Sequence, residues 1–186
     1  MKNSSPENIS PKIRRVAVSA VIAALYAVLT MLLAPISYGA VQLRISEVLC
    51  ILPFFIPYSA WGLFAGCLLA NMLTGNVFDI IFGSLATLCA GLITAHLGKK
   101  EHSMKNCVLA CLMPVIFNAV IVGAVITCAY AGLSIVKNLG FFALNALYVG
   151  LGEAIVLFAL GLPLMRSLPK KKFFSEYIKK LNQQGK

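Results

Sequence analysis

The chain has 186 residues, 60% of them hydrophobic and 12% charged, with a formal net charge of +10 and a mean hydropathy of +0.88. That much apolar surface exceeds what a soluble core of this size could hide, so lipid must be the solvent for much of it. No soluble basic domain remains to hold a duplex, so the positive charge points to topology and lipid headgroups, with no nucleic acid as partner.

A hydrocarbon layer about 30 Å thick needs roughly 20 apolar residues per crossing helix, fewer where short helices pack against protein. The chain therefore has room for an all-α bundle of six transmembrane helices. Residues 1–15 are polar and contain Pro and Ser, and are expected as a cytoplasmic tail. The first span is expected at 16–34. Its basic flank of Lys12, Arg14 and Arg15 resembles a signal peptide, but the apolar run is long and further spans follow, so it reads as a retained helix.

Pro35 opens a turn-rich break, and the uncharged stretch from Val48 to Ala70 is divided by Pro53 and Pro57 into two short helices, expected at 41–55 and 60–73. After the turn Thr74-Gly75-Asn76, further spans are expected at 77–97, 106–130 and 141–165, with a basic loop at 99–105. The six-helix domain thus occupies 16–168, followed by a basic cytoplasmic tail at 169–186. Six spans put both termini and the basic loop on one side, with fourteen of the sixteen Lys and Arg residues. Only Arg44 and Lys137 fall opposite, so the positive-inside rule places both termini in the cytoplasm of a multi-pass plasma-membrane protein.

The six cysteines offer no CxxC pair, and Cys107 and Cys111, one helical turn apart, have no neighbouring His or carboxylate. They read as small packing residues, with no metal and no cofactor implied. His96 and His102 read as groups at a solvated helix end.

The informative residues are polar ones that a membrane should exclude. Glu7, Glu101 and Glu176 lie in aqueous segments, whereas Glu47, Asp79 and Glu153 lie in or beside spans. A charge near the bilayer centre costs at least about 2.5 to 3.5 kcal/mol on insertion scales, so such groups face a cavity or a partner. Counting 1.5 Å per residue puts Asn145 about 6 Å, Tyr148 about 10 Å and Glu153 about 18 Å below the outer surface, with Asn118 about 18 Å above the inner one. Glu47, Asp79, Asn71 and Asn76 fall near outer helix ends. On the last span, Asn145, Val149, Gly152 and Glu153 share a face, with Tyr148 on its flank. For a single Asn, an interhelical hydrogen bond is the simpler role, and Arg44 with Glu47 could form an ion pair on one turn. Three carboxylates with one nearby cation favour a polar pocket.

Ala20 and Ala24 form a small-xxx-small strip on the first helix, overlapped by Ser19, Ala23 and Ala27, and Gly62 with Gly66 forms another. No P-loop, HExxH, GxSxG with suitable partners, voltage-sensor helix or filter sequence occurs, which favours binding or transport over catalysis.

The segments starting at Val41 (VQLRISE), Gly62 (GLFAGCLLAN), Asp79 (DIIFGSLATL), Asn118 (NAVIVG) and Asn145 (NALYVGLGE) together resemble the QueT family, over nearly the whole chain beyond the N-terminal tail. These are queuosine-precursor substrate-binding (S) components of energy-coupling factor transporters. The resemblance implies a six-helix, non-enzymatic S component working with a membrane scaffold subunit (EcfT) and two cytoplasmic ATPases. It also implies scaffold contact through Ala20 and Ala24, an outer gate at about 34–42, and toppling in the membrane to release cargo.

The implied cargo is 7-aminomethyl-7-deazaguanine or a related deazaguanine. Its guanine-like edge suits a carboxylate, its ring suits aromatic stacking and its aminomethyl cation suits a second acid. Glu153 and Asp79 are the first candidates, then Glu47, with Arg44 to orient an acid or meet the carbonyl. Tyr148 and Trp61 are stacking candidates, although Trp61 also fits an interfacial belt. Asn118, Asn145, Asn76 and Asn71 complete the candidate set. The alternatives are an S component for another vitamin, a stand-alone carrier or channel, and an intramembrane enzyme using the three acids.

Overall fold

The computed structural model describes residues 10–38, 41–100 and 102–183, and among them there is helix and no strand. Seven helices organise them: α1 (Pro11–Leu32), α2 (Ile45–Phe54), α3 (Ser59–Thr74), α4 (Asp79–Gly98), α5 (Met104–Tyr130), α6 (Leu139–Lys170) and α7 (Lys172–Gln183). A short turn, Ala34–Ser37, follows α1.

Four of these helices, α1, α4, α5 and α6, are long and apolar enough to cross a membrane. The two segments expected as short spans are apolar helices of a different kind. α2 is a ten-residue 3-10 helix containing Pro53, and residues 41–44 before it are not helical. α3 is an α-helix over Ser59–Asn71 that tightens into a 3-10 turn at Met72–Thr74. At 1.5 Å per residue an α-helix of 16 residues reaches only about 24 Å, short of the hydrocarbon thickness.

Helix ends follow local chemistry. α1 starts five residues earlier than expected, because Pro11 sits in its first turn, where the missing N–H costs nothing. Lys12, Arg14 and Arg15 therefore belong to the helix, and residues 1–9 lie outside those described. The Ser103 hydroxyl caps α5 by accepting from the Asn106 backbone N–H at 3.4 Å. Gly75, at φ +66°, supplies the left-handed turn after α3. π turns open α4 at Asp79–Gly83, close α5 at Ile126–Tyr130 and interrupt α6 at Leu157–Gly161. Such turns recur at functional sites.

Close approach of backbones holds the bundle together. A Cβ on Gly62 would stand 2.5 Å from the Ser19 carbonyl oxygen, and one on Gly66 2.6 Å from that of Ala23, so this strip clasps α3 to α1. A Cβ on Gly123 would come 2.9 Å from the Ala146 Cα, joining α5 to α6 in the same way. Tyr26, Cys50, Leu63, Cys67 and Ala70 make a buried cluster among α1, α2 and α3. A second cluster gathers Phe54, Phe55, Leu97, Cys111, Leu157 and Met165 near the chain termini, with Leu181 of α7 buried in it. All six cysteines are free thiols.

The surface is the inverse of a soluble protein's. Leu32, Trp61, Val77 and Leu139 are exposed, while Arg44, Glu47, Asn71, Asp79, Asn118 and Glu153 are buried. Large apolar side chains facing out along the long helices, with ionisable groups inside, mark a multi-pass membrane protein.

Candidate functional site

A cavity of about 760 Å³ opens where α1, α3 and α5 end and α4 and α6 begin, which is the end of the bundle away from the termini. Its volume falls within the range of small-molecule sites. Tyr38, Tyr130, Phe141 and Tyr148 give it aromatic walls, and Gln42, Thr74, Asp79 and Asn145 give it polar ones.

Asp79 stands at the first turn of α4. The Asn76 side-chain oxygen accepts from the backbone N–H groups of Phe78 at 2.9 Å and Asp79 at 3.4 Å, so Asn76 acts as a cap that fixes where the helix begins. Asn71, fully buried, donates its amide to the Asp79 carbonyl at 3.2 Å and ties α3 to the same turn. Gly83 makes room for this: a Cβ there would lie 2.8 Å from the Asn71 amide nitrogen. The Thr74 hydroxyl donates to the Asn71 carbonyl at 2.7 Å and accepts from the Asn76 backbone N–H at 3.3 Å, which closes the turn before α4. Across the cavity, Asn145 donates to the Thr127 hydroxyl at 3.4 Å, and Tyr148 is 40% exposed.

The other expected residues form a layer behind this wall. Arg44 stands at the N-cap position of α2 with its guanidinium carbon 5.2 Å from the centroid of the Tyr38 ring, and its Nε and Nη2 are buried with no hydrogen-bond partner among the described residues. Its charge acts on Asp79, Glu47 and Glu153 together. The Tyr38 hydroxyl donates to the Ala70 carbonyl at 2.7 Å, and burial pushes that phenol above its usual pKa while Arg44 pulls the other way. Glu47 accepts from the Tyr26 hydroxyl and, at 2.9 Å, from the Cys50 thiol. Its carboxylate is thus hydrogen-bonded by α1 and by its own helix instead of pairing with Arg44.

Glu153 accepts from the Asn118 amide at 2.7 Å through Oε1, while Oε2 is buried and has no partner among the described residues. Gly152, on the same face as Glu153, serves close packing: a Cβ there would collide with the Val41 carbonyl. The loop before α2 therefore lies directly on α6. Of the nine expected binding residues, then, Asp79, Asn145 and Tyr148 line the cavity. Arg44, Glu47, Asn71, Asn118 and Glu153 stand behind it, and Asn76 shapes its rim.

Tyr38, Gln42, Thr74, Tyr130 and Phe141 line the cavity without having been singled out. Tyr38 and Gln42 fall in the expected outer gate, of which residues 39 and 40 lie outside those described. Gln42 is the one described non-glycine residue with positive φ, at +45°. Trp61 lies on the other side of the molecule, 58% exposed beside Phe64. Ala20 and Ala24 are exposed, whereas Ala23 and Ala27 are buried.

A family model described as QueT transporter matches residues 16–170. The queuosine precursor transporter QueT of Lactococcus lactis subsp. cremoris (strain MG1363) is 42% identical over 71 residues, which cover 37% of this chain and 42% of that protein. The match thus spans less than half of the relative's length. No solved structure matches the chain.

Proposed function

The chain belongs to the QueT transporter family, and from that premise we propose that it is the substrate-binding S component of an energy-coupling factor importer. In this reading it crosses the membrane six times with both termini in the cytoplasm, the short α2 and α3 completing the set. It takes 7-aminomethyl-7-deazaguanine or a related queuosine precursor from outside. A scaffold subunit and two ATPases supply the energy.

The cavity at the end remote from the termini carries the proposal, because its groups suit that cargo. Asp79 accepts from the aminomethyl cation or from paired ring N–H donors, and Tyr38, Tyr130, Phe141 and Tyr148 offer ring faces to the planar base. Asn145 and Gln42 can both donate and accept, which suits the carbonyl and amino edges of a guanine-like ring. Behind them Arg44 compensates the acids, so the pocket is polar at its floor without carrying three unopposed negative charges.

Melting curves of the purified chain against a panel of deazaguanines and vitamins test the substrate class. Stabilisation by deazaguanines alone is the expected result, since a ligand that binds only the folded state raises its stability. A shift with a vitamin and none with any deazaguanine would reassign the cargo. Uptake by the chain reconstituted alone, without ATPases, would make it a stand-alone carrier.

A further inference from the structure

α7 lies outside the substrate site and is amphipathic in an unusual way. One stripe, Phe174, Ile178 and Leu181, packs onto the core, with the Phe174 and Phe55 rings 5.4 Å apart and perpendicular. A neighbouring stripe is also aromatic. Phe173 and Tyr177, one turn apart, stack with centroids 6.4 Å apart, and Phe173 is 84% exposed. Five lysines and one glutamate lie between residues 170 and 183, and Lys170, Lys171, Lys172 and Lys180 are exposed.

Tyr177 also borders an apolar groove of about 370 Å³ along α1, lined there by Ile13, Arg14, Ala17, Val18, Val21 and Ile22. The groove runs along a long apolar helix that faces lipid, and its mouth is at the basic end of the bundle. Apolar lining, an aromatic residue at its edge, and Arg14 together with the lysine run that begins α7 match the parts of one molecule, an acyl chain joined to a negatively charged headgroup.

We propose that the groove between α1 and α7 is a binding site for an anionic phospholipid, one acyl chain lying along Ile13, Ala17 and Val21 and the phosphate held among Arg14, Lys171 and Lys172. Phe173 and Tyr177 sit at the level of the headgroups, so α7 is a surface helix that fastens the C-terminal segment to the membrane. Ser19 and Ala23, which meet the glycines of α3, are not among the residues that line the groove.

The test uses the full chain in nanodiscs, with Trp61→Phe removing the native fluorophore and Tyr177→Trp reporting on the groove. Brominated phosphatidylglycerol or brominated phosphatidylcholine is added at the same low fraction to an unlabelled phosphatidylcholine host. The site predicts several-fold stronger quenching by the anionic lipid, and loss of that excess in the Lys171→Gln/Lys172→Gln variant, each basic residue being worth about fivefold in local lipid enrichment. Phe173→Trp provides a second reporter if Tyr177→Trp perturbs packing, and a single monodisperse species in chromatography controls for folding. Equal quenching by both lipids overturns the proposal in favour of an ordinary lipid annulus. Absence of quenching by either overturns it in favour of a helix covered by protein or facing water.

Discussion

A carboxylate inside a membrane bundle is held by whatever donors surround it, and the three buried acids here are held differently. Asp79 meets the cavity, Glu47 is enclosed by the Tyr26 hydroxyl and the Cys50 thiol, and Glu153 has one oxygen on Asn118 and the other without a partner among the described residues. These differences predict separable mutants. Asp79→Asn should weaken deazaguanine binding by about 2 to 3 kcal/mol, the usual cost of losing a charged, desolvated partner, with little change in apo stability. Glu153→Gln should leave the apo protein equally or more stable, because Asn118 still finds an amide oxygen and a buried charge disappears; its effect on affinity should be the smaller. Tyr26→Phe strips Glu47 of a donor far from the ligand, so it should lower stability by about 1 to 3 kcal/mol and leave binding intact. Calorimetry and melting curves on the three variants check this, and equal affinity losses at Asp79 and Glu153 would mean that the rear layer touches ligand. Depth counting along a regular helix found Asn145 and Tyr148. It could not find Tyr38 or Gln42, which reach the cavity from a non-helical loop where neither period nor depth is defined.

The helices show which faces of one strip are spoken for. Ser19 and Ala23 are pressed against Gly62 and Gly66, whereas Ala20 and Ala24 stay exposed on the same helix. Gly66→Val should therefore cost stability, since a Cβ would fall within van der Waals distance of the α1 backbone and of Tyr26. Ala20→Trp or Ala24→Trp should melt like the parent and bind ligand, yet block ATP-driven uptake in the assembled importer if the scaffold docks there. Unimpaired uptake would remove that strip from the interface. The sequence carries the small-residue spacing but not the choice between the two faces, which depends on where α3 lands. It also carries Pro53 and Pro57 as breaks, and helix replaced by a 3-10 turn at α2 follows from having a proline within so short an apolar run. α1 begins at Pro11 and not at Val16 because proline in a first turn is a start signal that the neighbouring basic and polar residues mask.

Across the whole molecule, most of the basic side chains lie at the end opposite the cavity, with Arg44 and Lys137 on the cavity side. The cavity is built where α1, α3 and α5 finish, and the lysine-rich α7 and the loop after α4 lie at the other end. The class of protein was legible from composition, since 60% hydrophobic residues leave few alternatives to a membrane bundle. The cavity itself was not, because its walls come from five separate segments that only packing brings together. In intact cells, single cysteines placed at Lys137 and Lys100 in a cysteine-free background should label from outside at the first and not at the second. Labelling at Lys100 from outside would invert the topology and turn the cavity toward the cytoplasm.

Titrating 7-aminomethyl-7-deazaguanine into the purified chain in a calorimeter shows whether the cavity lined by Asp79 and its aromatic neighbours captures a queuosine precursor. Saturable binding of one ligand per chain is expected, weaker by about a factor of ten or more for the 7-methyl analogue, which lacks the cation that Asp79 would meet. No saturable heat, or equal affinity for both compounds with Asp79→Asn unchanged, would contradict it.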